Sequence, residues 1–167
     1  MIIDVLVLND DGTQTLFQRE VPDDWLGGIG TLRTAKLSNL SAAGNAAIVA
    51  GVDVTLPNTS TTEHFSLHET DQINLSTAMT AVEQGATGYP CHADGQLCRF
   101  YPAADILAVS DAAIRHKLYH TTYCNHLLVR ARRAETAEEL ELITYGAALP
   151  DGLTSYMAAV LAAAGGN

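Results

Sequence analysis

Alanine supplies 25 of the 167 residues, against three phenylalanines and one tryptophan, and this balance restricts how the chain buries a core. Small side chains fill space only where backbones approach closely, so such a core calls for tightly packed helices, often with a neighbouring chain covering part of them. Apolar residues make up 47% of the chain and the mean hydropathy is +0.09, values of a soluble globular protein of one domain or two small ones. Disorder, collagen and membrane spans are excluded on the same grounds.

Charge excludes further classes. Nine Lys and Arg against 19 Asp and Glu leave a net charge of −10, a surface that repels nucleic-acid backbones and anionic lipid, so neither nucleic-acid binding nor membrane insertion is expected. Arg130, Arg132 and Arg133 form the one basic cluster; beside Glu135, Glu138, Glu139 and Glu141 they are expected to make a salt-bridged helix end. The apolar run from Ile2 to Leu8 is short, contains Asp4 and lacks a preceding basic stretch, so it reads neither as a secretory signal nor as a span. Synthesis in a cytosol with reduced thiols follows, and three cysteines are too few, and odd in number, for a disulfide scaffold.

Local patterns predict an α+β fold of helices with intervening β-hairpins: an N-terminal hairpin module followed by a mainly helical domain. Strand-like residues 3–8, turn chemistry at Asn9-Asp10-Asp11-Gly12 and β-formers from Thr13 to Val21 predict the first hairpin. Domain boundaries are placed at 1–25 for this docking module, 26–30 for a Gly-rich hinge and 31–167 for the helical domain with two further hairpins. Within the hinge, Gly27-Gly28-Ile29-Gly30 matches neither the Walker nor the dinucleotide glycine spacing. A helix over 31–50 carries Leu32, Ala35, Asn39, Ala42, Ala46 and Val49 along one stripe with Leu37, Leu40 and Ala47 off it, so apolar residues on more than one face suit either burial within one monomer or packing against two neighbours, symmetry mates included. The second hairpin covers 52–56 and 63–67, and a helix over 70–84 is closed by Gly85.

Asp94-Gly95 predicts a two-residue turn that would pair Cys91 with Cys98 across the third hairpin. Pro102 opens the longest helix, to about Arg133, with Leu107, Ile114, Leu118 and Leu128 near one face. Thr136 to Glu139 is a capping box, and Leu149-Pro150-Asp151 introduces a last Ala-rich helix.

Ligand-type residues concentrate in the third hairpin and the long helix. Cys91, His92 and Cys98 sit on the hairpin, while His116, His120 and Cys124 repeat at i, i+4, i+8 with His126 nearby. A hairpin pair and two helix ligands would complete a tetrahedral zinc site, so Cys91, His92, Cys98, His120 and Cys124 are the candidate metal ligands. The alternative is that the thiols pack as small apolar groups and the histidines make ordinary polar contacts, with no cofactor. No nucleophile elbow or protease-like context surrounds a cysteine, and the carboxylate pairs sit where capping explains them, so no enzymatic activity is expected.

Three blocks occur in order: His64-Phe65-Ser66-Leu67 with Asp71-Gln72-Ile73-Asn74-Leu75; Tyr89-Pro90-Cys91-His92-Ala93-Asp94-Gly95 with Cys98-Arg99-Phe100-Tyr101; and His120-Thr121-Thr122-Tyr123-Cys124-Asn125. Over about residues 32–145 the chain resembles an uncharacterised domain family encoded among tail-fibre and baseplate genes of bacteriophages and prophages. Cys91 departs from that family's pattern, where an aromatic or other residue is more usual than a thiol, which leaves His92, Cys98 and His120 as a smaller metal set.

The resemblance implies a structural component of a phage tail, at its tip, baseplate or fibre attachment, or alternatively a fibre-assembly chaperone; a small metal-binding protein is the third reading. Implied partners are other tail, baseplate or fibre proteins, and tail symmetry favours a homotrimer. The protein would be made in the host bacterial cytoplasm and end in the virion. Ile3, Val5, Val7 and Trp25 are the candidate partner-binding residues.

Overall fold

The computed structural model describes residues 2–8, 13–20 and 28–165. Among these residues three hairpins form three separate two-stranded antiparallel sheets, and five helices stand beside them, giving the α+β class. Strands β1 (Ile2–Leu8) and β2 (Gln14–Glu20) are followed by helix α1 (Ile29–Val49), strands β3 (Val52–Thr55) and β4 (Thr62–Phe65), and helix α2 (Glu69–Glu83). Strands β5 (Gly88–Cys91) and β6 (Arg99–Pro102) then lead into α3 (Ala103–Arg133), α4 (Ala137–Glu141) and α5 (Asp151–Gly165). Trp25 and the first two residues of the predicted hinge, Leu26 and Gly27, fall outside the described residues; Gly28 is the N-cap of α1, and Ile29 and Gly30 already belong to its first turn.

Helix α3 carries both cores. With 31 residues at 1.5 Å each it is about 46 Å long, enough to cross the whole domain. Its N-terminal half packs Ile106 and Val109 against Val54, Leu56, Phe65, Ala78, Ala93 and Tyr101 from α2 and the two hairpins. Its C-terminal half packs Tyr123, Leu127 and Ala131 against Leu40 of α1, Leu140 and Ile143 around α4, and Met157 of α5. Among the described residues neither core takes a side chain from β2, where Gln14, Leu16 and Glu20 are exposed.

Both predicted helix stripes are displaced. In α1 the buried positions are Leu40 and Gly44, flanked by half-buried Arg33, Leu37 and Ala47, while Leu32, Ala35, Asn39, Ala42 and Ala46 face outward. An Ala-rich helix offers little contrast between faces, so the choice falls to the one face where a glycine admits another backbone. In α3, Leu107 and Ile114 are 44% and 54% exposed, and the buried stripe includes Asp105, Ser110 and His126, polar residues that disguise it.

The third hairpin is shifted by one residue. Cys91 lies opposite Arg99, not Cys98, because Asp94 is drawn toward β4: its N–H donates to the His64 carbonyl at 2.9 Å and its carboxylate accepts the Ser66 N–H at 3.0 Å. The one-residue slip leaves Cys98 just before β6, outside the ladder that holds Cys91. The arginine cluster also differs from expectation. Arg130, Arg132 and Arg133 occupy the last turn of α3, where they complement the helix dipole, and take part in none of the ion pairs seen among the described residues. The Glu139 carboxylate instead accepts the Glu135 N–H, and Thr136 caps α4.

Gly51 turns α1 into β3 at φ +84°, and a Cβ there would lie 2.1 Å from the Phe65 carbonyl oxygen. Gly44 matters for packing: a Cβ would meet the Cys124 sulfur at 2.7 Å. Gly44→Val should therefore lower stability by about 1–3 kcal/mol despite better helix propensity, because the overpacked α1–α3 contact must open. Gly152→Ala, in open space on α5, should raise it by about 0.5–1 kcal/mol, and thermal or denaturant melts of the two variants check both signs.

Candidate functional site

The predicted metal ligands are dispersed. His116 and Cys124, two turns apart on α3, donate to main-chain carbonyls of α1: His116 Nε2 to Ala47 at 2.9 Å and Cys124 Sγ to Leu40 at 3.4 Å. Ala47 is among the last carbonyls of α1, which lack a partner within their own helix. His120, between them, bonds instead to the Tyr145 hydroxyl through Nδ1 at 2.7 Å. The i, i+4, i+8 stripe is thus a hydrogen-bonded seam from α3 to α1 and to the segment between α4 and α5. Burial holds the Cys124 thiol above its ordinary pKa, which suits a thiol donor and disfavours a thiolate ligand.

On the hairpin, Cys91 is half-buried, its thiol pKa also raised chiefly by burial, whereas Cys98 is exposed and His92 Nδ1 meets only the Ala93 carbonyl, at 3.3 Å. Among the described residues no three His, Cys, Asp or Glu side chains come together as a metal-ligating group. That applies equally to the five-residue set and to the smaller set of His92, Cys98 and His120. Of the candidate partner-binding residues, Ile3, Val5 and Val7 lie on β1 in register with Arg19, Phe17 and Thr15, and Trp25 lies outside the described residues.

Polar residues that the spacing argument passed over do converge. His64 on β4 places Nδ1 2.7 Å from Asp53 and Nε2 2.8 Å from the Ala50 carbonyl, with Asp94 at 3.8 Å. Both ring nitrogens face acceptors, an environment that asks for the imidazolium. The Asp53 hydrogen bond, then the Ala50 carbonyl, hold the His64 pKa above the ordinary histidine value. Asp94 is held below the ordinary carboxylate value, first by the Ser66 N–H. The Ser66 hydroxyl donates to Asp71, which also accepts the His68 N–H and so opens α2. A second knot ties β4 to β6: Glu63 accepts from Arg99 and from the Tyr101 hydroxyl, and the Arg99 guanidinium stacks 4.0 Å over the Tyr101 ring. Burial and then Glu63 push the Tyr101 phenol up to about 12.

These groups hold segments together and offer no reacting pair. Ser66 faces a carboxylate that is already bonded, and His64 has no free lone pair with which to act as a base. The first two sequence blocks meet at this junction, and the third supplies the seam through His120, Tyr123 and Cys124. The chain belongs to the DUF4376 family. Its model, described as a domain of unknown function, matches residues 31–145. The DUF4376 region therefore begins with α1 and ends at Tyr145, leaving hairpin β1–β2 and helix α5 outside it. No curated protein and no solved structure matches the chain.

A wider groove of about 540 Å³ runs beside the seam, walled by Tyr119, His120, Tyr123, Tyr145, Met157 and Leu161. Tyr123 fastens its floor, donating to the Ala147 carbonyl and accepting the Gly146 N–H. Burial, then the nearby His116, lower the His120 pKa. The two histidines should consequently titrate in opposite directions. The stabilising contribution of His64 is complete below about pH 6.5 and lost as pH rises through its raised folded value; that of neutral His120 is complete above about pH 6.5 and lost as pH falls through its lowered one. Imidazole NMR titration should place His64 above and His120 below the unfolded value, and His64→Asn should remove the alkaline loss alone.

Proposed function

We propose that this chain is a protein–protein interaction component of a bacteriophage tail, at the tail tip, baseplate or fibre attachment, with no catalytic step of its own. The tail context comes from the resemblance carried by the three sequence blocks. The observation that carries the interaction role is hairpin β1–β2. It pairs within itself, contributes to neither core among the described residues and leaves Leu16 64% exposed. A lone two-stranded hairpin is at best marginally stable in water, so a surface on a neighbouring protein that accepts it would complete its packing.

In this reading the DUF4376 region is the rigid body, and the hairpin engages another tail, baseplate or fibre protein. Three-fold tail symmetry makes a homotrimer the assembly to look for by sedimentation. No helix among the described residues is long and apolar enough to cross a membrane, which suits a particle protein made in the host cytoplasm. Mass spectrometry of purified virions should find the chain at fixed stoichiometry. Its absence from finished particles, with binding to fibre protein before assembly, would assign it instead as a fibre-assembly chaperone. Leu16→Asp in the full chain should abolish capture of the neighbouring tail protein while leaving the melting temperature unchanged; unchanged capture would refute docking through the hairpin.

A further inference from the structure

Between α2 and α3 lies a separate cleft of about 190 Å³, walled by Leu67, Leu75, Met79, Ala113 and Ile114. Two polar groups on α3 mark it. Ser110 is 2% exposed, and its buried hydroxyl has no hydrogen-bond partner. Such a group costs stability unless something bonds to it, and an alanine there would avoid the cost. Lys117, seven residues and two turns further on, lies on the same face about 10 Å along the axis. Its ammonium donates to the Gln72 carboxamide oxygen at 2.7 Å, and that amide in turn donates to the Leu67 carbonyl at 2.8 Å, so the charge is held at the mouth. Among the described residues no carboxylate forms an ion pair with Lys117.

We propose that this cleft binds a small amphipathic carboxylate, a single ring or short chain whose acid group meets Lys117 and whose far end carries a hydrogen-bonding atom for Ser110. The volume sets the size: a cavity of about 150 Å³ holds a benzene ring, so this one admits one ring with short substituents. The walls set the body, since five apolar side chains outnumber the polar lining groups, Ser76 and Gln72 beside Ser110 and Lys117. The charge sets the head group, because an unpaired ammonium at an apolar mouth selects an anion over a neutral analogue. This site is independent of the hairpin and of the tail reading.

Titration of the full chain with 4-hydroxyphenylacetate, phenylacetate and the neutral alcohol tyrosol, followed by amide NMR, tests it. Saturable shifts should centre on Ser110, Ala113 and Lys117, with 4-hydroxyphenylacetate binding most tightly and tyrosol about tenfold more weakly. Lys117→Gln should weaken both acids about tenfold and erase the preference over tyrosol. Ser110→Ala should erase only the preference for the hydroxylated acid, while its melting temperature stays level or rises. Shifts centred elsewhere, no saturation at millimolar acid, or equal affinity in wild type and Lys117→Gln would each overturn the proposal. Because Lys117 is exposed, its variant keeps the test decisive even if Ser110→Ala disturbs the fold.

Discussion

The close approach of α1 to α3 is the constraint on which the rest depends. Gly44 leaves room for the Cys124 sulfur, and that proximity lets Cys124 and His116 reach the carbonyls of Leu40 and Ala47. A larger residue at position 44 would part the helices and break both bonds. Since α3 also carries Ile106 and Val109 into the second core, a displacement at the seam would be transmitted to the hairpins. Arg33 reinforces the far end by donating to the Ala134 carbonyl just beyond α3.

Polar knots then fix what apolar packing alone leaves loose. Two four-residue hairpins are too short to hold their own register, and each is tied outside its ladder. His64 clamps β4 to Asp53 and to the end of α1, Asp94 pins the third turn to β4, and Glu63 joins β4 to β6. Asp105, buried in the first turn of α3, holds the Asn58 backbone and side chain in the turn between β3 and β4. The molecule thus spends much of its titratable chemistry on architecture. This explains why a dense group of Cys and His residues need imply neither metal nor catalysis.

Element order was largely legible. Turn residues at Gly51, Gly85 and Asp94-Gly95, Pro102 before the long helix and Thr136 before α4 gave boundaries within a few residues of those observed. Faces were not legible. Leu40 was read as off-stripe and is 2% exposed, while Ile114 was placed on the apolar face of the long helix and is 54% exposed. The candidate metal ligands do not converge among the described residues, for a related reason. Spacing showed correctly that His116, His120 and Cys124 share one side of a helix, but it could not show that the facing side presents carbonyls and a tyrosine rather than further ligands. Ser110 and Lys117 share a face by the same spacing and escaped notice because a lone serine and lysine carry no motif.

What the sequence by itself determined is therefore the α+β class and the succession of hairpins and helices. Those properties depend on backbone propensities and turn chemistry within a few neighbouring residues. Only the tertiary structure decided which side of each Ala-rich helix is buried, the one-residue shift that sets Cys91 opposite Arg99 rather than Cys98, and the use of histidines as clamps. In a core of small side chains the difference between faces is slight along the chain, and it is resolved only when a specific partner backbone comes within reach.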